Sequence, residues 1–210
     1  MALMRTTTRI KPTEIADPPL ARFLFADSRS ALLWLVLRIF LGYQWLTAGL
    51  HKVQDPAWMT TGEALKGFWV RAATLPAPPA SPAITFSWYR SFLQALIDAQ
   101  AYTWFAKAVA VGEVVIGVAL ILGLFTGIAA LSGGFMNWNF MMAGTASTNP
   151  LLFAIAVLLV LAWKVAGYIG LDRIVLPALG TPWQTGPFFG GQPAAAKPAA
   201  PGGAGVGAGA

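Results

Sequence analysis

The chain has 210 residues, of which 57% are hydrophobic and only 10% are charged. Ordinary soluble domains carry about 25% charged residues, so the composition argues against a soluble domain. The net charge of +6 lies mainly outside the apolar stretches, where it orients a membrane protein and requires no nucleic acid. The absence of cysteine excludes disulfides, iron–sulfur clusters and thiolate metal sites on this chain, and a single histidine, His51, excludes an internal bis-histidine haem. We therefore expect no haem, iron–sulfur or metal site.

Four stretches are long and apolar enough to be membrane spans, since crossing the hydrocarbon takes about 20 predominantly apolar helical residues. They are residues 31–50, 104–125, 128–146 and 151–169. These stretches predict an all-α membrane protein built as a four-transmembrane-helix bundle. Only residues 126–127 join the second and third spans, which predicts an antiparallel helical hairpin. Asn149 and Pro150 predict a turn that starts the fourth helix.

The segments outside the spans set the expected orientation. Residues 1–30 are basic and lack an apolar core followed by a cleavage site, so we expect a retained cytoplasmic segment rather than a signal peptide. Four crossings of the cytoplasmic (inner) membrane return the C-terminus to the cytoplasm. There a juxtamembrane segment, 170–192, precedes a Pro/Ala/Gly-rich tail, 193–210, which has too little apolar area to fold alone.

The long connection 51–103 is then extracytoplasmic. Its Pro-rich middle, 75–82, cannot continue a helix. On either side, residues 61–73 and 87–99 place aromatic and aliphatic side chains near helical spacing with charges between them. We expect two amphipathic helices that lie over the outer end of the bundle.

Arg38, Glu113 and Asn137 fall inside the apolar spans. A charge at bilayer depth costs at least about 2.5 kcal/mol, so each needs a partner or a function. Helical spacing puts each of the three on a face with small residues, and we expect Arg38 and Glu113 to face each other with Asn137 nearby. As a catalytic site the group would bind a quinone head group or pass its protons. The alternative is a purely structural ion pair.

A second polar group is predicted at the outer face, where basic side chains and hydroxyls could bind a small anion. Its members are His51, Lys52, Lys107, Thr145 and Asn149. The alternative is ordinary interfacial chemistry, with lysines that snorkel and a polar turn. Most of the tryptophans have the same interfacial explanation. Trp45 and Trp104 are the two that we single out as candidate cofactor-binding residues.

Three ordered motifs carry a resemblance to a known family. They are LRIFLGYQWLTAGLHK at 37–52, GEVVIGVALILGLFT at 112–126 and NFMMAGTASTNP at 139–150. The chain resembles the DoxX/DoxD family of four-helix membrane proteins. DoxD-type members are the membrane subunit of thiosulfate:quinone oxidoreductase, which couples two thiosulfates to tetrathionate and reduces membrane quinone. The resemblance implies a quinone acceptor and a small companion subunit of the DoxA type.

Two functions of different classes follow. The first is a quinone-linked oxidoreductase subunit in which thiosulfate is the substrate that the resemblance implies. The second is a noncatalytic accessory subunit that anchors a larger respiratory or photosynthetic membrane complex, since the amphipathic pieces and the tail are suitable docking surfaces. A small-anion transporter is a weaker third possibility, because four helices without an inverted repeat give little room for alternating access.

Overall fold

Residues 17–181, 184–185 and 187–189 are described by a computed structural model. Within these residues the fold is helical apart from one two-residue strand pairing. The tail predicted at 193–210 and the first part of the N-terminal segment, 1–16, lie outside the described residues.

The bundle consists of four principal helices together with short helices at both of its ends. In chain order the elements are α1 Pro19–Ala26, a 3-10 turn Ser28–Ser30, α2 Ala31–Gln54, α3 Pro56–Met59, α4 Glu63–Ala73, α5 Ser87–Asp98, α6 Tyr102–Leu122, α7 Thr126–Met142, α8 Asn149–Leu161, α9 Trp163–Ala166, α10 Asp172–Leu179, β1 Gly180–Thr181, β2 Gln184–Thr185 and a 3-10 turn Pro187–Phe189. The two strands pair antiparallel.

The principal helices alternate in direction, so the bundle has two distinct ends. The end formed by the α6–α7 turn, α9 and α10 is called the turn end. The end covered by α3, α4 and α5 is called the loop end. Helices α2 and α7 begin at the turn end, and α6 and α8 begin at the loop end.

Two of the described helices are long and apolar enough to cross a membrane, Ser28–Gln54 and Tyr102–Leu122. Helix α8, Asn149–Leu161, is apolar but shorter. The apolar stretch predicted to run to residue 169 breaks at Ala162, and α9 follows as a separate turn. The predicted start of α8 is confirmed, because the helix begins at Asn149 with Pro150 in its first turn, where a missing N–H does no harm.

Helices α2 and α6 approach closely because glycines line their contact. A Cβ on Gly117 would lie 2.5 Å from the backbone nitrogen of Leu46, and a Cβ on Gly49 would lie 2.6 Å from that of Val114. The backbones can pack at this distance only where no side chain intervenes. These two contacts fix the antiparallel register of α2 against α6.

The loop end carries a second core formed by α4, α5 and the first turns of α6. Leu65, Trp69, Tyr89 and Leu93 are buried there. Helices occupy both segments in which the sequence predicts amphipathic helices. Gly62, at φ +75°, starts α4 directly against the Tyr102 carbonyl, where a Cβ would clash.

The outer faces of the bundle are strongly apolar. Exposed fractions exceed 60% at Leu32, Val36, Ile128, Leu131 and Phe135, which lie on α2 and α7. Water-facing surfaces seldom carry such continuous apolar area, whereas lipid requires it. The exposed faces and the two long apolar helices together indicate a protein embedded in a bilayer.

Candidate functional site

The central charged pair in the bundle joins α2 to α6. Lys52 Nζ donates a hydrogen bond to Glu113 Oε2 at 2.6 Å, and the Glu113 side chain is only 1% exposed. Lys52 retains 20% exposure, and its ammonium group lies 5.2 Å from the ring centroid of Trp58, so it reaches from the buried carboxylate toward the loop end. The pair connects the interior with the surface at that end.

The predicted pairing of Arg38 with Glu113 is wrong. Arg38 Nη2 instead donates to the Ile169 carbonyl at 2.7 Å, and the guanidinium lies against Gly123 at the turn end. The glycine contacts of α2 with α6 explain the difference, because that register sets Glu113 beside Gly49. Ten residues of helix separate Glu113 from Gly123, which is about 15 Å along the axis. Arg38 therefore belongs to a different cluster.

Asn137 and Trp45 place unpaired polar atoms in the interior. Asn137 is fully buried, and neither its Oδ1 nor its Nδ2 has a hydrogen-bond partner; Trp45 Nε1 is likewise buried and unpaired. A Cβ on Gly133 would lie 2.8 Å from Trp45 Nε1 and 3.4 Å from Ile116. Asn137 stands one turn beyond Gly133 and Glu113 one turn beyond Ile116, toward the same end, since α6 and α7 are antiparallel. Unsatisfied buried polar atoms are rare, and the turn end has them too, at Arg38 Nε and Nη1 and at Thr126 Oγ1.

Asp172 organises the turn end, and sequence reasoning missed it. Its carboxylate accepts hydrogen bonds from the backbone N–H groups of Phe125, at 2.6 Å, and Thr126, at 2.8 Å, and so caps the N-terminus of α7. Its own N–H donates to the Gly123 carbonyl at 2.8 Å. The carboxylate also acts electrostatically on Arg38, beyond ion-pair distance. The only sequence signals were the acidic residue itself and nearby glycines, since Gly167 lies where a Cβ would collide with Asp172.

The residues predicted as an anion site are spread over the loop end. His51 and Lys107 are exposed, and Lys52 is engaged by Glu113. Asn149 Nδ2 donates to the Thr145 carbonyl at 3.1 Å within the α7–α8 turn. Among residues 17–181 no hydrogen bond or ion pair joins the lysines to this turn. Their predicted role in anion binding stays a prediction.

The two tryptophans predicted to contact a cofactor have opposite surroundings. Trp45 is 3% exposed and lies in the interior next to Gly133, whereas Trp104 is 59% exposed and packs on Phe105 with ring centroids 5.1 Å apart. Trp104 is therefore placed as an interfacial residue. In the described part of the chain no three His, Cys, Asp or Glu side chains are grouped as metal ligands would be.

Comparison with known proteins decides the family. The DoxX family model matches residues 33–143, which is more than half of the chain. The chain belongs to the DoxX family. The matched region contains Lys52, Glu113 and Asn137, whereas Asp172 lies beyond it. Comparison with curated proteins and with solved structures gives no match.

Proposed function

We propose that this DoxX protein is the membrane subunit of a quinone-linked oxidoreductase that oxidises thiosulfate to tetrathionate. In this proposal α2, α6, α7 and α8 are four spans of the cytoplasmic membrane, both termini are cytoplasmic, and the loop end is extracytoplasmic. Family membership supports the membrane setting, and the lipid-facing apolar surfaces agree with it. The observation that carries the functional part is the Lys52–Glu113 pair, with its buried carboxylate, in a bundle interior that also holds the unpaired polar atoms of Asn137 and Trp45.

The reaction requires two electrons and two protons. Two thiosulfates form one S–S bond in tetrathionate and release two electrons, and the quinone takes up these electrons with two protons to become the quinol. No one-electron centre is needed if the sulfur donor and the quinone react in two-electron steps. With no cysteine on this chain, any covalent sulfur intermediate must reside on a partner.

In this scheme Glu113 is the proton carrier. A carboxylate inside a span is expensive and is retained where it has a partner or a proton to move. Lys52 holds it in place at 2.6 Å while remaining 20% exposed, which gives the carboxylate a polar connection to the loop end. Positioned general acid–base groups contribute about 10²- to 10⁴-fold to a rate. Arg38 takes no part in proton transfer in this proposal, because it lies in the turn-end cluster.

The anion would approach at the loop end. His51 and Lys107 are exposed there, whereas Lys52 is already neutralised by Glu113. The remaining basic groups attract thiosulfate without enclosing it, so a small DoxA-like companion subunit would complete the site. Positive charge at an exposed surface raises the rate of anion capture more than it raises affinity.

Thiosulfate-driven reduction of decylubiquinone tests the proposal in membranes and in purified complex. Glu113→Gln is expected to lower turnover at least 100-fold while the protein still assembles. Glu63→Gln is the matched control, because Glu63 is exposed on α4 and pairs with Lys66 at 3.1 Å. Unchanged turnover on deletion of the chain would contradict the proposal.

A noncatalytic accessory subunit is the second candidate. The observation that favours it is the pairing of Lys52 with Glu113, which neutralises the partly buried ammonium group of the predicted anion site. In that case the chain would copurify at fixed stoichiometry with a larger respiratory or photosynthetic complex. Glu113→Gln would then change the yield of the complex without a separate effect on its turnover.

A further inference from the structure

A pocket of about 180 Å³ lies between α4 and α5 on one side and α6 and α7 on the other. Its lining is almost entirely apolar and includes seven aromatic side chains. They are Phe68, Trp69, Tyr89, Phe92, Phe105, Phe135 and Phe140. An apolar cavity of about 150 Å³ is sufficient to hold benzene, so this pocket has the size of one substituted six-membered ring.

The pocket reaches the lipid-facing surface. Phe92 and Phe135, which line it, are 46% and 62% exposed, whereas Trp69 and Leu93 on its inner side are 5% and 2% exposed. A ligand that enters past Phe92 and Phe135 comes from the bilayer, and a long substituent on it can remain there. The inner side accommodates only the ring.

The pocket has one polar corner, formed by Tyr89 and Asn139. Tyr89 Oη donates to the Asn139 backbone carbonyl at 3.0 Å, and Asn139 Nδ2 donates to the Phe135 carbonyl at 2.8 Å. Burial raises the pKa of the Tyr89 phenol, which keeps its proton in place at neutral pH. These bonds use one hydrogen of each group, so the phenol oxygen remains as an acceptor and the second amide hydrogen as a donor. A ring hydroxyl can bond both groups, and a ring carbonyl can accept from the amide hydrogen.

We propose that this pocket binds the head group of a lipophilic molecule. The head group is one planar six-membered ring with an oxygen substituent at its edge, and the apolar tail of the molecule extends into lipid. Aromatic walls favour a flat ring by stacked and edge-to-face contacts over a flexible acyl chain. The site goes beyond the proposed function, because binding needs neither thiosulfate nor turnover. A benzoquinone is the member of this class that the proposed function would use.

Photolabelling of the full chain in lipid nanodiscs tests the site. The probe is a decyl-substituted azidophenol, and cross-links are mapped by mass spectrometry. They are expected on α4, α5 and residues 135–140, and decylubiquinone should displace them, whereas decanol, which has the tail and an oxygen but no ring, should not. Equal displacement by decanol, or cross-links spread along the α7–α8 groove, would overturn the proposal.

Variants locate the site independently of the probe. Leu96→Trp narrows the pocket from its partly exposed rim and should reduce labelling at least tenfold; Val109→Phe does so from α6. Leu131→Trp adds the same bulk to a separate apolar groove, between α7 and α8, and should change labelling less than twofold. Asn139→Leu should weaken decylubiquinone displacement several-fold, because it removes the amide hydrogen that would be donated to a ring carbonyl. Full labelling of folded Leu96→Trp and Val109→Phe would contradict the site. The labelling experiment contains no thiosulfate, so it can succeed even if the protein has no thiosulfate:quinone oxidoreductase activity. The binding site and the proposed function can therefore fail separately.

Discussion

The two ends of the bundle each bury charge, but they satisfy it in different ways. At the turn end, Asp172 accepts two backbone N–H groups and Arg38 donates to a backbone carbonyl. At the loop end, Glu113 is held by another ionisable side chain, Lys52. The first arrangement closes helix termini, whereas the second joins two ionisable side chains of α2 and α6. Both arrangements have buried polar atoms without a hydrogen-bond partner nearby, at Arg38 Nε and Nη1 and Thr126 Oγ1 near the turn end and at Asn137 and Trp45 Nε1 in the interior. We therefore assign a structural role to the turn end, where the buried charges bind backbone groups. The loop end, where a buried carboxylate binds a second titratable side chain, is the candidate functional site.

The largest expected effect is on stability at the turn end. Asp172→Ala removes the acceptor of the Phe125 and Thr126 N–H groups and takes a counter-charge from Arg38. Removing one partner of a buried charged network costs about 3–5 kcal/mol. Equilibrium unfolding in mixed micelles measures this loss. A loss below about 1 kcal/mol would show that the cap is not what closes the α6–α7 hairpin.

The loop-end pair should cost less to disrupt. Glu113→Gln removes a charge-assisted hydrogen bond worth about 1.5–3 kcal/mol, while Lys52 can turn toward solvent because it is already 20% exposed. The same micelle unfolding experiment compares the two variants directly. If Glu113→Gln proves as destabilising as Asp172→Ala, the two ends do not differ in the way proposed.

The register that keeps the two clusters apart can be tested through one glycine. Gly117→Ala places a methyl group 2.5 Å from the Leu46 backbone nitrogen. Inserting a methyl group into a packed contact lowers the free energy of unfolding by about 1–3 kcal/mol. Gly112→Ala is the matched control on the same helix, because nothing lies within 4 Å of its added Cβ. The control should be neutral or stabilising by up to about 1 kcal/mol through helix propensity. Equal melting temperatures for the two variants would refute the close α2–α6 contact.

The smallest effect belongs to an exposed pair that serves as a reference. Hydrogen bonds from Arg29 lower the pKa of the Asp27 carboxyl from 3.8 to about 2. Because the folded pKa is the lower one, its contribution to stability is present above about pH 4 and is lost as the pH falls toward 2. Asp27→Asn should therefore leave stability at pH 7 almost unchanged, since exposed pairs contribute little. A carboxyl carbon NMR titration of Asp27 with a midpoint near 4 would contradict the pairing.

The buried faces of the helices could largely be predicted from the sequence. Spacing alone put Arg38, Gly42, Trp45, Gly49 and Lys52 on one face of α2. The first four are buried, and the Lys52 side chain is 20% exposed. Spacing did the same for Glu113 and its neighbours on α6. Helical period and residue type predict which face of a helix is buried. Small residues allow close packing against another helix, and polar residues are costly to expose to lipid, so both lie on the face that contacts other helices.

The partners of the charged residues could not be predicted from the sequence. Sequence spacing gives depth within a helix but not the register between two helices, which here depends on backbone contacts at Gly49 and Gly117. About four turns of α2 separate Arg38, the predicted partner of Glu113, from Lys52, the observed partner. Asp172 was missed for a related reason, since its partners belong to the turn between two other helices.

Replacement of the loop-end pair by apolar residues of similar size tests the central distinction most directly. In the double variant Lys52→Met with Glu113→Leu, no buried charge is left unpaired, and such replacements are often neutral or stabilising. We expect unfolding free energy within about 1 kcal/mol of wild type or above it, together with loss of thiosulfate-driven decylubiquinone reduction. A double variant that fails to fold, or that folds and keeps wild-type turnover, would contradict a functional role for the pair.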